Sequence, residues 1–243
     1  MKVLLTGSSR GLGREILERL LRHDCEVWGI SRQNPETFTH PKFHPLNWDL
    51  GDSAQLKKRL DGEFSASAFD TIIHNAGHGI GELSLRSNET NRHLLFGLHY
   101  EAPLLISNFL IERALATGSL LNIVQISSLA VHVPFRGLGD YSASKAAVEA
   151  LGRVYVKEWG RFGIDVLNVC PDYMESDMTA AVDPSVKEQI LAVSVDQKPL
   201  LISTVAAYVI REILEKKKPW RGKSVIISNR PVLKNQMLSC EWI

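Results

Sequence analysis

The chain lacks the features of a secreted, membrane-spanning or disulfide-stapled protein. It has three cysteines, Cys25, Cys170 and Cys240, an odd number without a C-x-x-C pair, so neither a disulfide framework nor a zinc site is expected. The apolar run near the N-terminus is too short for a signal peptide. The longest nearly apolar stretch, residues 200–210, is well below the roughly 20 residues that span a bilayer. These absences predict a cytoplasmic protein with no membrane partner.

An excess of charge of one sign is also missing. The 243 residues include 28 Lys and Arg against 27 Asp and Glu, a formal net charge of +1, so a nucleic-acid partner is not expected. Hydrophobic residues make up 44 % of the chain, which excludes global disorder. Four histidines, His74, His78, His93 and His132, lack metal-ligand spacing and a neighbouring acidic cluster, so no metal is predicted.

Short β-rich runs alternate with longer helical ones. Predicted strands are residues 3–6, 26–31, 43–48, 69–74, 120–127, 164–170 and 223–227, and predicted helices include 53–60, 89–116, 141–162 and 204–216. Strands separated by helices predict parallel βαβ units. We therefore expect one α/β domain over residues 1–243, a doubly wound parallel sheet of about seven strands with helices on both faces. Residues 172–202 depart from the pattern and are predicted to form a substrate lid.

A glycine-rich turn, Thr6-Gly-Ser-Ser-Arg-Gly-Leu-Gly13, lies between the first predicted strand and a helix whose apolar residues share one face. Glycines there allow a tight turn and let backbone N–H groups approach a diphosphate at the helix N-terminus. Such a turn alone could be a loop that needs positive φ. Its place after the first strand, in a chain with six more strands, favours a nucleotide site.

Four motifs in order resemble the short-chain dehydrogenase/reductase family over about residues 1–228. They are Gly7, Gly11 and Gly13 in T-G-x-x-x-G-x-G, His74-Asn-Ala-Gly77 where the family usually has N-N-A-G, Ser128 at the spacing of the catalytic serine, and Tyr141-Ser-Ala-Ser-Lys145 matching Y-x-x-x-K. The resemblance implies a Rossmann-type fold, a nicotinamide cofactor and catalysis by Ser128, Tyr141 and Lys145.

The residue after the second strand bears on the choice of cofactor. NAD binders usually have a carboxylate there, whereas this chain has Ser31 followed by Arg32, with Arg10 in the glycine turn. Guanidinium groups bind phosphate well, so we predict NADP(H). Asp49 resembles the family's acidic adenine contact, although a helix N-terminal acid is an open alternative. The resemblance assigns the rest of the cofactor site to Ser9, Leu12, Leu50, Asn75, Ala76, Gly77, Pro171, Asp172 and Ser176, with Tyr141 and Lys145 also contacting the cofactor.

The catalytic residues suit reduction of a carbonyl group. Hydride addition to a ketone leaves negative charge on oxygen, which needs a proton and hydrogen-bond donors. Tyr141 and Lys145, four residues apart, share one face of a helix, and a nearby ammonium lowers a tyrosine pKa. Ser128, at the end of a strand, can hydrogen-bond the substrate oxygen. The expected partner is therefore a small-molecule carbonyl or alcohol substrate.

Two residues depart from the family pattern. His99 stands where the pattern N-x-x-A-P has a catalytic Asn that helps to hold a water. It could take over that role, titrate near pH 6.5 and make turnover pH-sensitive between pH 6 and 8, or be an ordinary helix histidine. Asp172 follows Pro171 where the family usually has glycine, which adds bulk and possible charge beside the nicotinamide.

Two alternative functions are considered beside the reduction of small carbonyl compounds, and the sequence also predicts an oligomer. A reductase of 3-oxoacyl thioesters on a carrier protein is a narrower version of the same activity. A non-catalytic NADP-binding regulatory protein is suggested by His99 and Asp172, but the intact Ser128, Tyr141 and Lys145 argue against it. Two long helices carry apolar residues beyond one core-facing stripe, which predicts a homodimer or homotetramer: Leu94, Leu95, Leu98, Leu104, Leu105, Val148, Leu151, Val154 and Val156.

Overall fold

The apolar runs of the sequence pair side by side in one parallel sheet. The computed structural model describes residues 1–65, 68–79, 81–180, 187–188, 191–192, 198–216, 218–229 and 241–242. The strands are β1 (Lys2–Thr6), β2 (Glu26–Ser31), β3 (Phe43–Asn47), β4 (Thr71–His74), β5 (Leu121–Ile126), β6 (Ile164–Pro171), β7 (Lys223–Ile227) and β8 (Glu241–Trp242). Their order is β3-β2-β1-β4-β5-β6-β7-β8, with every neighbouring pair parallel.

Helices cover both faces of this sheet. They are α1 (Gly11–Arg22), α2 (Ser53–Phe64), α3 (Glu89–Phe96), α4 (Ala102–Thr117), α5 (Gly139–Trp159), α6 (Asp177–Ala180) and α7 (Ile202–Leu214). On one face, apolar residues of α1 and α7 pack together against the sheet, and on the other face α2, α4 and α5 do so. All residues of β4 and β6 are buried, as expected for strands covered on both faces. The predicted doubly wound parallel sheet is confirmed.

The order of the strands places a crevice between β1 and β4. From β1 the chain winds outward through β2 and β3, and it then returns to place β4 on the other side of β1. Loops that leave the carboxyl ends of β1 and β4 therefore turn in opposite directions. Ligands of doubly wound sheets bind in the crevice at such a switch point. The glycine turn follows β1 and Asn75 follows β4, so both lie at its edges.

The long predicted helix of residues 89–116 contains a π-helical segment. Helices α3 and α4 are joined by Gly97–Glu101, where the N–H of Ala102 bonds the carbonyl of Gly97. Pro103 has no N–H to donate to the His99 carbonyl, so a regular α-helical ladder is interrupted at this point. Single π-turns are often found at functional sites. His99 lies in the middle of this one.

The combined helix Glu89–Thr117 is long and apolar enough to cross a membrane by length and composition. The sequence prediction considered only uninterrupted apolar runs, and polar residues interrupt this helix. Half of its most apolar window is buried inside the protein. Core helices of soluble proteins can have the same length and composition, so this property alone does not indicate a membrane segment.

Other differences from the sequence predictions concern the ends of elements. Helix α2 continues beyond Leu60 to Phe64, which is buried one turn later. The two-residue strand β8 was not predicted. Of the predicted lid, residues 172–180, 187–188, 191–192 and 198–202 are described, and the rest of it lies outside the described residues.

Candidate active site

A cavity of about 600 Å³ opens along the carboxyl edge of the sheet, beside the ends of β1, β2, β4, β5 and β6. Every site residue predicted from the sequence except His99 lines it. These residues are Gly7, Ser9, Arg10, Gly11, Leu12, Gly13, Ser31, Arg32, Asp49, Leu50, Asn75, Ala76, Gly77, Ser128, Tyr141, Lys145, Pro171, Asp172 and Ser176. The fold thus brings together residues that lie between positions 7 and 176 of the chain.

Asn75 ties the glycine turn to the end of β4. Its side-chain N–H₂ donates to the carbonyls of Thr6 and Gly7, both at 3.1 Å. A Cβ on Gly13 would lie 1.9 Å from the Gly7 carbonyl oxygen, and Gly7 itself has a φ of +72°. The turn therefore needs glycine at both positions, because a side chain would displace the backbone of the turn.

The amino end of α1 points into the cavity. Arg10 is its N-cap, makes no side-chain capping bond among the described residues, and is followed by a first turn without an acidic residue. The first N–H groups of a helix have no partner within the helix, and its dipole favours negative charge there. Together with the glycine cradle, this end of α1 fits the diphosphate of a dinucleotide.

The residues predicted to meet a 2′-phosphate, Arg10, Ser31 and Arg32, all line the cavity. The Ser31 hydroxyl is buried and accepts a 3.2 Å bond from the Ser9 N–H, so it is tied to the glycine turn. Arg32 is exposed at the cavity. The Arg10 guanidinium lies 3.5 Å from the Asp177 carboxylate of α6, with both side chains mostly exposed. Such an exposed ion pair contributes little stability, and an incoming phosphate can replace it.

The alternative that Asp49 is a helix N-terminal acid is wrong, because it lies before the N-cap of α2 and the first turn of that helix has no acidic residue. Asp52 caps α2 by accepting from the Gln55 N–H at 2.9 Å. Asp49 is exposed at the cavity, and among the described residues its carboxylate accepts only a local bond from the Gly51 N–H at 2.9 Å. One of its carboxylate oxygens faces that turn, which leaves the other for a ligand.

Tyr141, Lys145 and Ser128 meet at one wall of the cavity. The first turns of α5 present Tyr141 and Lys145, and Ser128 follows β5. Burial raises the pKa of Tyr141, and a hydrogen bond from Ser128 acts in the opposite direction. The buried Lys145 ammonium donates to the Ile126 carbonyl at 2.8 Å, and burial lowers the pKa of Lys145 to about 8. A proton donor, a cation and a hydroxyl are therefore placed together beside the cavity.

His99 lies behind this wall and is held neutral. Its Nε2 accepts the His78 N–H at 3.1 Å, and its Nδ1 lies 2.8 Å from the Ser144 hydroxyl, which donates to the Tyr141 carbonyl at 2.8 Å. The proton therefore sits on Nδ1. Burial, and next the charge of Lys145, lowers the pKa of His99 well below its usual value.

The expectation that His99 titrates near pH 6.5 is therefore wrong, because protonating Nε2 would break the bond from His78 and bury a charge beside Lys145. The T-shaped contact between the His99 and Tyr141 rings, with centroids 5.5 Å apart, gives the imidazole a positioning role. It joins the loop after β4 to the first turn of α5.

Asp172 does not project a free charge toward the cavity. Its carboxylate accepts from the Tyr173 N–H at 2.7 Å and from the Ser228 hydroxyl at 2.6 Å. These bonds fix the start of the lid segment to the end of β7. Ser176 lies four residues further along the chain, and its N–H donates to the Thr179 hydroxyl at 2.9 Å.

The sequence analysis missed two further residues that shape the cavity: Asp177, which lines it, and Asn34, which does not line it but is linked to Ser31 through Ser8. Asn34 accepts from the Ser8 hydroxyl and donates to the carbonyls of Gly29 and Leu46, so it shapes the turn beside Ser31. Asp177 contributes the ion pair with Arg10. The sequence signal for Asn34 was an Asn among polar residues after a strand. The signal for Asp177 was an acidic residue at the start of a short helix.

Comparison with known proteins shows the family of the chain. A family model described as short chain dehydrogenase matches residues 1–187. Benzil reductase ((S)-benzoin forming) of Bacillus subtilis (strain 168) is 27 % identical over 197 residues, 76 % of this chain and 79 % of that protein. The NADPH carbonyl reductase 2 of Sus scrofa is 24 % identical over 196 residues, 78 % and 79 % of the two chains.

A solved 4-hydroxyisoleucine dehydrogenase complexed with NADH has the same fold, with a TM-score of 0.83 at 18 % identity over 95 % of this chain and 98 % of that one. The family model covers most of the chain, including the glycine turn, Ser128, Tyr141 and Lys145. The chain therefore belongs to the short-chain dehydrogenase family of oxidoreductases.

Proposed function

We propose that this oxidoreductase uses NADP(H) to interconvert a small-molecule ketone and its secondary alcohol. The observation that carries the proposal is the meeting of Tyr141, Lys145 and Ser128 at one wall of the cavity that also contains the glycine turn. A nicotinamide bound in that cavity supplies or accepts the hydride. The names of the benzil and carbonyl reductases support a carbonyl substrate.

The chain's own residues would divide the remaining work. Backbone N–H groups at the start of α1 bind the diphosphate, while Asn75 keeps the glycine turn closed behind it. The Tyr141 hydroxyl gives its proton to the carbonyl oxygen, and the Ser128 hydroxyl donates a hydrogen bond to the same oxygen. The Lys145 ammonium stabilises the tyrosinate that remains. His99 fixes the backbone of Tyr141 through Ser144.

A screen of carbonyl compounds tests the activity directly. Oxidation of NADPH would be followed with ketones, diketones, quinones and one 3-oxoacyl thioester, the last covering the carrier-protein alternative. We expect turnover of at least one ketone or diketone, because Tyr141, Lys145 and Ser128 line the same cavity and can supply a proton and hydrogen-bond donors to a carbonyl oxygen. Tight NADPH binding without turnover of any compound would instead favour the non-catalytic regulatory alternative.

The cofactor preference is a separate prediction. We expect NADPH to bind more tightly than NADH, since Arg10 and Arg32 both line the cavity next to the hydrogen-bonded pair Ser9 and Ser31, and guanidinium groups bind phosphate strongly. Arg32→Asp should weaken NADPH binding with little effect on NADH. The exposed Arg86, which lies outside the cavity, provides the matched control Arg86→Asp. Equal affinity of the unmodified protein for both cofactors, measured by fluorescence titration, would contradict the proposal.

We also propose a homodimer or homotetramer formed through α4 and α5. Leu95 and Val148 of the apolar set are buried within the protomer, so these two belong to its core. Val154 of α5 is 47 % exposed and is the member best placed to contact a second copy, whereas Leu94 lies on α3 and lines the cavity. Burial of such residues against a symmetry-related helix pair would form a four-helix interface.

A further inference from the structure

A second polar cluster lies behind Ser128, between β5, β6 and α5. It consists of His132 from the loop after β5, Glu149 from α5 and Cys170 from β6. Glu149 Oε1 lies 3.4 Å from His132 Nε2 and 3.3 Å from Cys170 Sγ, and Sγ lies 3.5 Å from Nε2. Glu149 and Cys170 are almost fully buried, whereas the His132 side chain is 15 % exposed. A nitrogen, an oxygen and a sulfur therefore face one another at nearly equal distances.

The geometry of these atoms fits a metal better than a catalytic relay. In a relay of thiol, imidazole and carboxylate, the thiol and the carboxylate contact different ring nitrogens. Here both contact the same Nε2. At ordinary zinc bond lengths and tetrahedral angles, ligand atoms lie roughly 3.3–3.6 Å apart. The three observed separations fall in this interval, so the atoms occupy one face of a tetrahedron of the right size.

Neighbouring side chains hold the carboxylate in place. The Ser127 hydroxyl donates to Glu149 Oε1, and the Ser224 hydroxyl donates to Oε2 at 2.7 Å. Arg153 lies 3.6 Å from Oε2, and its side chain is 55 % exposed. Outer hydrogen bonds of this kind orient a metal ligand. The partly exposed His132 side chain is the member of the cluster nearest to solvent.

We propose that His132 Nε2, Glu149 Oε1 and Cys170 Sγ bind a zinc ion, with a water in the fourth position. An imidazole, a thiolate and a carboxylate are the ligands zinc prefers, whereas magnesium and calcium favour oxygen alone. Cys170 binds as the thiolate and its thiol proton passes to the buffer, so thiolate and carboxylate together balance the two positive charges of the ion. The spacing of the three residues gave no sign of this site, because they come from a loop, a helix and a strand.

The zinc site is separate from the proposed chemistry, although it adjoins the catalytic wall. Cys170 immediately precedes Pro171, Ser127 precedes Ser128, and Glu149 lies one turn beyond Lys145 on α5. Binding can therefore be measured without substrate or nicotinamide. Its failure would leave the proposed oxidoreductase activity untouched.

The experiment is a zinc titration of the chelator-treated full chain in competition with a chromogenic zinc indicator. We expect one equivalent of zinc to bind. His132→Gln and Cys170→Ser should each weaken binding at least about tenfold, since loss of even an outer-shell partner typically costs about 10–100-fold in affinity. Cobalt(II) should give a thiolate-to-cobalt charge-transfer band in the unmodified protein, and the band should be absent from Cys170→Ser.

Matched controls remove a thiol or an imidazole elsewhere. Cys25→Ser replaces another buried cysteine, and Cys240→Ser replaces the one outside the described residues. His93→Gln replaces an exposed histidine that also has a glutamate nearby. All three should keep the unmodified zinc affinity and the cobalt band.

Three results would overturn the proposal: no bound zinc, unchanged affinity in the His132→Gln protein, or a cobalt spectrum without thiolate character. If Cys170→Ser does not fold, His132→Gln and the cobalt spectrum of the unmodified chain still decide the matter, because His132 is partly exposed and its replacement spares the core.

Discussion

Replacing Tyr141 by Phe is expected to lower the turnover of a carbonyl substrate by about 10²–10⁴-fold, the usual contribution of a general acid. The substitution removes only the hydroxyl that would give a proton to the substrate oxygen. The ring remains, together with its contact to His99, so NADPH affinity should stay nearly unchanged. Steady-state kinetics with a substrate from the carbonyl screen and a separate NADPH titration measure the two effects.

Tyr155→Phe is the matched control for this prediction. Tyr155 lies on the same helix, away from the cavity, and its hydroxyl donates to Asn108 at 2.6 Å. Loss of that bond should reduce the free energy of unfolding by about 0.5–1.5 kcal/mol and leave turnover intact. Retention of most of the activity in Tyr141→Phe would assign the proton transfer to another group.

Lys145→Met should change how stability depends on pH. Burial lowers the pKa of Lys145 in the folded protein from 10.5 to about 8, so between these values the unfolded chain binds a proton that the folded protein has lost. Stability rises with pH wherever the unfolded state binds more protons. The unmodified protein should therefore gain about 2 kcal/mol in free energy of unfolding relative to the variant between pH 7 and pH 10.

Stability is expected to rise rather than fall with pH because the ammonium of Lys145 is buried. Below pH 8 the folded protein bears the full cost of burying the charge, and this cost is relieved as the pH rises through 8 toward 10.5. Denaturant unfolding of both proteins across this pH range measures the difference between their free energies of unfolding. Titratable groups that both proteins share contribute equally and cancel in this difference. Lys157→Met removes an exposed lysine from the same helix and controls for the loss of a lysine as such. A difference between the unmodified protein and Lys145→Met that does not vary with pH would contradict the prediction.

Much of the fold could be predicted because its signals are local. The first helix follows from apolar residues at helical spacing: Leu12, Ile16, Leu17, Leu20 and Leu21 are all buried. The ends of elements were less certain, since Gly62 weakens the helical pattern just where α2 continues to Phe64. Strand β8 has two residues and is fixed by its pairing with β7, which no local pattern reveals.

In the candidate site, too, features set by local patterns could be predicted and features set by distant contacts could not. Ser128, Tyr141 and Lys145 could be placed together because strand ends meet at one edge of a parallel sheet and i,i+4 residues share a helix face. The protonation of His99 could not be predicted, because it depends on the His78 N–H and the Ser144 hydroxyl. The orientation of Asp172 depends likewise on Ser228, at the end of a different strand.

The π-helical segment Gly97–Glu101 also changes the rotational phase of one continuous helix. A π-turn contains one residue more than an α-turn, so the side chains beyond it are rotated by about 100° from the positions a regular helix would give them. This rotation lets α3 face α5 while α4 faces α2 and the sheet. A variant lacking one residue of the segment would have to give up either the contacts of His99 or the buried face of α4. An alignment with a relative whose helix is regular needs a one-residue gap at the same place.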